Sequence, residues 1–225
     1  MTADLGFWVL QTLNALQLSM LLFLLSVGLT VIFGLMHFVN LAHGSLYAFG
    51  AYVAATLAGT LGYWGGFLLA PLAVAAMGAV LYFTLIRSQR RAGPMAQVLV
   101  TFGLIFVAVD ATRLIWGDLP IGIDVPAVFE GQLPLLGVEY PIYRLFIIAI
   151  CAALTVGLQF ILSRTRFGSR LRASVDDPRV AASLGINVNL VFAATFAVGS
   201  GLAGLGGALG AEVLGLDPSF PLKFL

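Results

Sequence analysis

The sequence predicts an all-α fold, a polytopic transmembrane helical bundle. Three observations point there. Hydrophobic residues make up 60% of the 225 positions and charged residues only 9%. Mean hydropathy is +1.05. The apolar residues also gather into runs of the length that a lipid bilayer demands. A soluble domain carries about a quarter charged residues. A chain with so few could not cover a surface of its own in water, so lipid is the solvent for most of it.

A helix that crosses the hydrocarbon core needs about 20 mostly apolar residues. Six such segments can be read: about Leu16 to Met36, Ser45 to Leu61, Phe67 to Leu85, Ala96 to Leu114, Ile142 to Leu162, and Leu190 to Leu214. Gly62 and Gly65-Gly66 divide the second from the third. Gly93-Pro94 divides the third from the fourth, because proline lacks the amide a helix interior requires. A cleavable leader would open with positive charge, yet the first basic residue is Arg87. The first segment therefore reads as a permanent helix.

Orientation follows from the arginines. Arg87, Arg90 and Arg91 follow the third segment, and Arg164, Arg166, Arg170, Arg172 and Arg179 follow the fifth; together they are eight of the eleven basic residues. The loop between the fourth and fifth segments carries Asp118, Asp124, Glu130 and Glu139 instead. The positive-inside rule puts both arginine loops in the cytoplasm and the N-terminus outside. The acidic loop, with Pro120, Pro126, Pro134 and Pro141, reads either as a compact cap or short surface helix, or as plain connecting chain. The last stretch, Asp217–Leu225, reads as an extended loop and predicts a C-terminally incomplete domain.

Several functions are excluded at this level. Net charge is +1, so there is no basic field for a nucleic-acid backbone. The lone Cys151 forms no internal disulfide or multi-cysteine metal site, and two histidines without nearby carboxylates make no metal cage. Gly199-Ser200-Gly201-Leu202-Ala203-Gly204 fits a dinucleotide pattern, but no strand precedes it and no acidic residue follows at ribose distance. With Gly206 and Gly210 it reads as a helix-packing face. Ionisable groups are nearly absent from the spans, against the habit of proton-coupled carriers. Asp110 and Arg113 are expected to pair with each other, three residues apart near a helix end. Glu212 lies near another such end.

The most informative loop is Arg164–Asn187. Asp177 is placed to cap a short helix that begins at Pro178. Val180, Ala181 and Leu184 are expected to share one face of it, and Gly185 supplies a left-handed stop. Such an element suits docking into a partner's groove. It equally suits a surface loop whose arginines rest on anionic headgroups.

This loop resembles the coupling segment of ATP-binding-cassette permeases, specifically those importing branched-chain amino acids, with relatives serving urea and short amides. Arg170, Arg172, Ala173, Asp176, Ala181, Ala182, Leu184, Gly185, Ile186 and Asn187 carry the likeness. The stretch from Gly34 to Gly44, containing Asn40-Leu41-Ala42-His43-Gly44, resembles a second signature of that family. The likeness covers the whole chain, although family members carry further helices beyond this point. It implies one permease domain over residues 1–225, with a cytoplasmic coupling loop at 164–189. Within that loop Arg170, Arg172, Asp176, Asp177, Arg179, Ala181, Ala182, Gly185 and Ile186 would meet the ATPase.

The resemblance also implies a second permease subunit (the same or a related chain), two cytoplasmic ATPase subunits, and an external substrate-binding protein. The membrane would be the bacterial inner membrane. The chain itself has no phosphate-binding loop, since Lys223 is its only lysine, so no cofactor is expected on it and ATP hydrolysis belongs to a partner. Asn40 is expected to cap the second helix, with His43 and Gly44 in its first turn. These three either line a translocation path or gate, or only satisfy backbone at a membrane boundary. A self-contained secondary transporter and an intramembrane enzyme are the rivals. The second lacks any metalloprotease or serine-hydrolase motif.

Overall fold

The computed structural model describes residues 2–89, 92–119, 121–135 and 137–223. Arg90, Arg91, Pro120 and the last two residues of the final stretch lie outside them. Among the described residues, five helices are long and apolar enough to cross a membrane.

Helix α1 spans Thr2–Met36 and begins well before the expected Leu16, because no proline or charge run interrupts the apolar residues upstream. Helix α2, His43–Leu81, absorbs the second and third expected segments into one element. It is not one rod. Gly62 takes φ 77° and ψ 168°, which no helix accommodates. Beyond it the backbone of Gly66 lies against Ala54 and Ala58. Ala54 and Ala70 share a core cluster with Ala208. In a continuous helix sixteen residues would separate those alanines by about 24 Å. The chain therefore doubles back at Gly62, and arms 43–61 and 63–81 lie side by side.

The second arm ends in a π-helical turn, Tyr82–Ile86, and a short α3, Arg87–Gln89. Helix α4, Pro94–Trp116, starts with proline at its first position, where the missing amide costs nothing. Gly117, at φ 84°, then turns the chain. This turn settles Arg113. Its Nε lies 3.2 Å from Asp118 Oδ1, just past the helix end, so the expected Asp110 pairing is not made.

The acidic loop is neither a helix nor plain chain. It holds a 3₁₀ turn, Ala127–Phe129, and an antiparallel hairpin of β1 (Gln132–Leu135) and β2 (Val138–Pro141), with Leu133 opposite Tyr140. Phe129 fastens it to the helices by packing among Tyr63, Trp64, Tyr143 and Phe146.

Helix α5 is Ile142–Arg164, followed by α6, Arg166–Asp176, which the sequence reading passed over. Then come α7, Pro178–Ser183, α8, Val188–Leu214, and a last turn α9, Phe220–Lys223.

Helix α8 is the axis of the bundle. Half of its apolar window is buried, against 11% for α5. Its glycines make this possible, since without a hydrophobic drive between lipid-solvated helices close backbone approach supplies the packing. Gly199 faces Gly28 and Ile32 of α1, while Gly201 and Gly204 face Pro71, Ala75 and Val74 in the second arm of α2. Gly206 and Gly210 lie against Tyr47 of the first arm. Tyr143 of α5 ties into the same axis by donating its hydroxyl to Leu209 O at 2.9 Å.

Candidate functional site: a capped helix and a non-helical segment in the bundle

Two regions carry the residues singled out above, and both belong to the arginine-bearing end of the bundle.

The first is the turn α6–α7. Thr165 caps α6 by accepting from Gly168 N at 3.3 Å. Gly168 has room for no side chain, because the α5 carbonyls of Ile161 and Leu162 press on it. Arg172 reaches back to donate to the same Leu162 carbonyl. Leu171 and Ser174 turn inward and are fully buried, while Arg170, Arg172 and Asp176 point outward. Asp177 then caps α7, accepting from Arg179 N at 2.8 Å and Val180 N at 3.0 Å. Those two backbone bonds, helped by the Arg179 charge, hold its carboxyl below the usual aspartate range. Gly185, at φ 81°, closes α7, with Gly185 N donating to Ala182 O and Ile186 N to Ala181 O.

The expected shared face divides. Val180 and Leu184, four residues apart, are 54% and 74% exposed, whereas Ala181 is 1% exposed and faces the bundle. One position along a helix rotates a side chain by about 100°, which separates Ala181 from its neighbours. Ala182 is exposed and Ile186 is half-buried against the α8 base. The product is a short rigid element presenting two aliphatic side chains, flanked by Arg179 and Asp176.

The second region lies between α1 and α2. Asn40 does not cap α2. Ala42 occupies the cap position, and the helix starts at His43. Residues 37–42 form a non-helical segment, with His37 at φ 49° where the chain turns off α1. Phe38 is fully buried beside Met36, Ile86, Leu171 and Phe192. At the other end His43 Nε2 sits 3.1 Å from Leu25 O, and its ring touches Gly28. Leu25 and Met36 are eleven residues apart on α1, about 16 Å at helical rise. The segment thus runs back along the last three turns of α1 inside the bundle.

Backbone in such a place must find partners. Gln97 Oε1 accepts from Val39 N at 3.1 Å, and Thr101 Oγ1 accepts from Leu41 N at 3.3 Å. Thr101 donates in turn to Gln97 O at 2.8 Å, and Gln97 Nε2 donates to Ala92 O at 3.2 Å and Gln89 O at 3.4 Å. Both side chains are buried on α4. Nothing in the sequence marks them, since an amide and a hydroxyl carry no charge to stand out within an apolar span. His43 and Gly44 are sealed in the packing, whereas Asn40 lines a groove of about 240 Å³ with Leu29, Thr30 and Phe33. Asn40 Oδ1 has no hydrogen-bond partner among the described residues. No group of three or more metal-ligating side chains occurs among the described residues.

A glycine-packed bundle of long apolar helices, with a non-helical segment held inside it and a capped helix at one end, is the architecture of a multi-pass membrane protein. The chain belongs to the family of branched-chain amino acid transport system permease components, which it matches over residues 11–221. Members are transport subunits, not enzymes. Among curated relatives, the high-affinity branched-chain amino acid transport permease BraD of Pseudomonas aeruginosa is 26% identical over 220 residues, covering 92% of this chain and 70% of its own. LivH of Salmonella typhimurium is 24% identical over 230 residues, covering 93% and 72%. LivM of Escherichia coli is 29% identical over 221 residues, covering 88% and 52%. No solved structure matches the chain.

Proposed function

We propose that this chain is one permease half of an ATP-driven importer of branched-chain or closely related small amino acids, in the bacterial inner membrane. It works with a second permease half, two cytoplasmic ATPase subunits and an external binding protein. The relatives support the cargo and the second half, since both LivH and LivM kinds are among them. The doubled-back α2 supports six crossings, because arms 43–61 and 63–81 return the chain to the side it left. Six crossings place Arg87 and all of α6–α7 on one side, which the positive-inside rule makes the cytoplasm.

The observation that carries the mechanism is α7. Val180 and Leu184 are aliphatic, exposed and held by a double-capped backbone, so they fit a groove on an ATPase. When ATP closes the ATPase pair, a helix capped at both ends transmits the displacement instead of absorbing it. α6 then carries the motion into the bundle through buried Leu171.

Crosslinking tests this. A cysteine at Leu184, with Cys151 replaced by serine, should link to the ATPase in native membranes. A cysteine at Ala181, which faces inward, should not. Equal labelling of both, or of neither in a well-expressed complex, contradicts the docking geometry. The alternative cargo, urea or a short amide, is supported only by the loop resemblance and is read out by the binding protein's ligand.

A further inference from the structure

We propose that the non-helical segment at 37–42 is the moving gate of the cargo path, and that Gln97 and Thr101 are the positioning residues that latch it shut. The inference rests on the transport reading above and assigns the moving part within it.

The kind of bond holding the segment comes first. Helical spans are closed by main-chain ladders that no side-chain rotation can open. Here two amides inside the bundle depend on two side chains of a different helix, Val39 on Gln97 and Leu41 on Thr101. Each bond can be exchanged singly, without unfolding a turn. Thr101 and Gln97 stand one turn apart on α4, and the threonine hydroxyl is oriented by donating to the main-chain carbonyl of Gln97.

An unfinished contact lies between the two latches. Asn40 Oδ1 is buried with no hydrogen-bond partner among the described residues, an arrangement that costs free energy as it stands. Beside it is the groove of about 240 Å³ against Leu29, Thr30 and Phe33, into which the segment can shift. The structure thus supplies a held position, an unpaired polar atom and an adjoining space.

Both ends of the latch reach the arginine-bearing face. Phe38, at the base of the segment, packs in one cluster with Leu171 of α6, the helix that leads directly into α7. Gln97 uses its amide hydrogens on the carbonyls of Gln89 and Ala92, in the first arginine loop. A displacement of either element therefore bears on the same two hydrogen bonds.

The test uses the complete transporter in proteoliposomes, with Val39→Cys as reporter on a Cys151→Ser background. Uptake of labelled leucine per ATP hydrolysed is read alongside the rate of Val39→Cys modification by a membrane-impermeant thiosulfonate. In the otherwise wild-type complex, vanadate trapping should speed modification roughly tenfold. Thr101→Val keeps the shape and removes the acceptor. It should raise the resting modification rate and lower uptake per ATP, each about tenfold, as expected for one lost bond and an orphaned amide. Thr101→Ser restores the hydroxyl and should bring both within about twofold of the parent. A merely structural role would lower yield and ATPase activity together, leaving their ratio to uptake unchanged. Should Thr101→Val fail to fold, Gln97→Met gives the same reading, because it removes the oxygen that accepts from Val39 N. Modification that neither vanadate nor these variants alter, in a complex that transports leucine, overturns the gate. A fully assembled parent complex that takes up no cargo overturns the transport reading, and the gate with it.

Discussion

Gly204→Ala measures how much of this fold rests on backbone approach. Gly204 sits where α8 meets both arms of α2, with Gly50 on one side and Val74 on the other. A methyl group there would fall 2.7 Å from Val74 Cβ and 2.8 Å from its Cγ2. Comfortable carbon–carbon separation is about 3.5 Å, so roughly 0.8 Å must be found. Val74 is 1% exposed and β-branched, and its Cβ cannot rotate away. The backbones must part, which loosens the Gly201 and Gly207 contacts on either side. Overpacking of this kind costs about 2 kcal/mol, or roughly 4–8 °C of melting temperature for a chain of this size. Gly59→Ala is the control, since nothing lies within 4 Å of its added methyl. It should be neutral or gain about 0.5 kcal/mol from helix propensity. Detergent-purified protein followed by thermal denaturation with size-exclusion readout gives both shifts. Equal melting temperatures for the two variants would refute the close-approach argument.

Other expectations concern the docking helix and the outer aromatic cluster. Gly185→Val should lower uptake while ATP hydrolysis by the complex continues, because a β-branched residue resists φ near 81°; paired uptake and phosphate-release assays check it. Asp177 has its folded pKa below the free value, so its cap contributes fully above the unfolded pKa and is lost only as pH falls through the folded one. Hydrogen exchange of α7 should therefore be constant from pH 5 to 8 in shape after base-catalysis correction, and Asp177→Ala should raise it throughout. Tyr143→Phe removes a buried hydroxyl that donates to Leu209 O, and should destabilise by about 1 kcal/mol in the same thermal assay.

Local chemistry made some of this legible. Asp177, Pro178 and Gly185 state a helix start and stop in nine residues, and the structure has that helix with Asp177 as its cap and Gly185 at its end. The glycines of α8 mark close approach because no other role suits them within an apolar run. The doubling back at Gly62 is legible as a glycine break between two apolar segments. What escaped was whatever depends on distant partners. Asn40 reads as a cap until α4 supplies Gln97 and Thr101, which let residues 37–42 stay out of a helix. Those two are ordinary polar residues in an apolar helix, and only the tertiary structure reveals the amides they serve. Arg166–Asp176 is dominated in sequence by its arginines, which mask the inward row of Gly168, Leu171 and Ser174 that makes it an amphipathic helix.

The most direct test of the central claim is uptake of labelled leucine into proteoliposomes holding this chain with its companion permease and ATPase subunits. The account predicts uptake that needs ATP inside, binding protein outside and an intact α7, and that is indifferent to proton or sodium gradients. Leucine accumulation driven by such a gradient without ATP would contradict it and define a self-contained carrier.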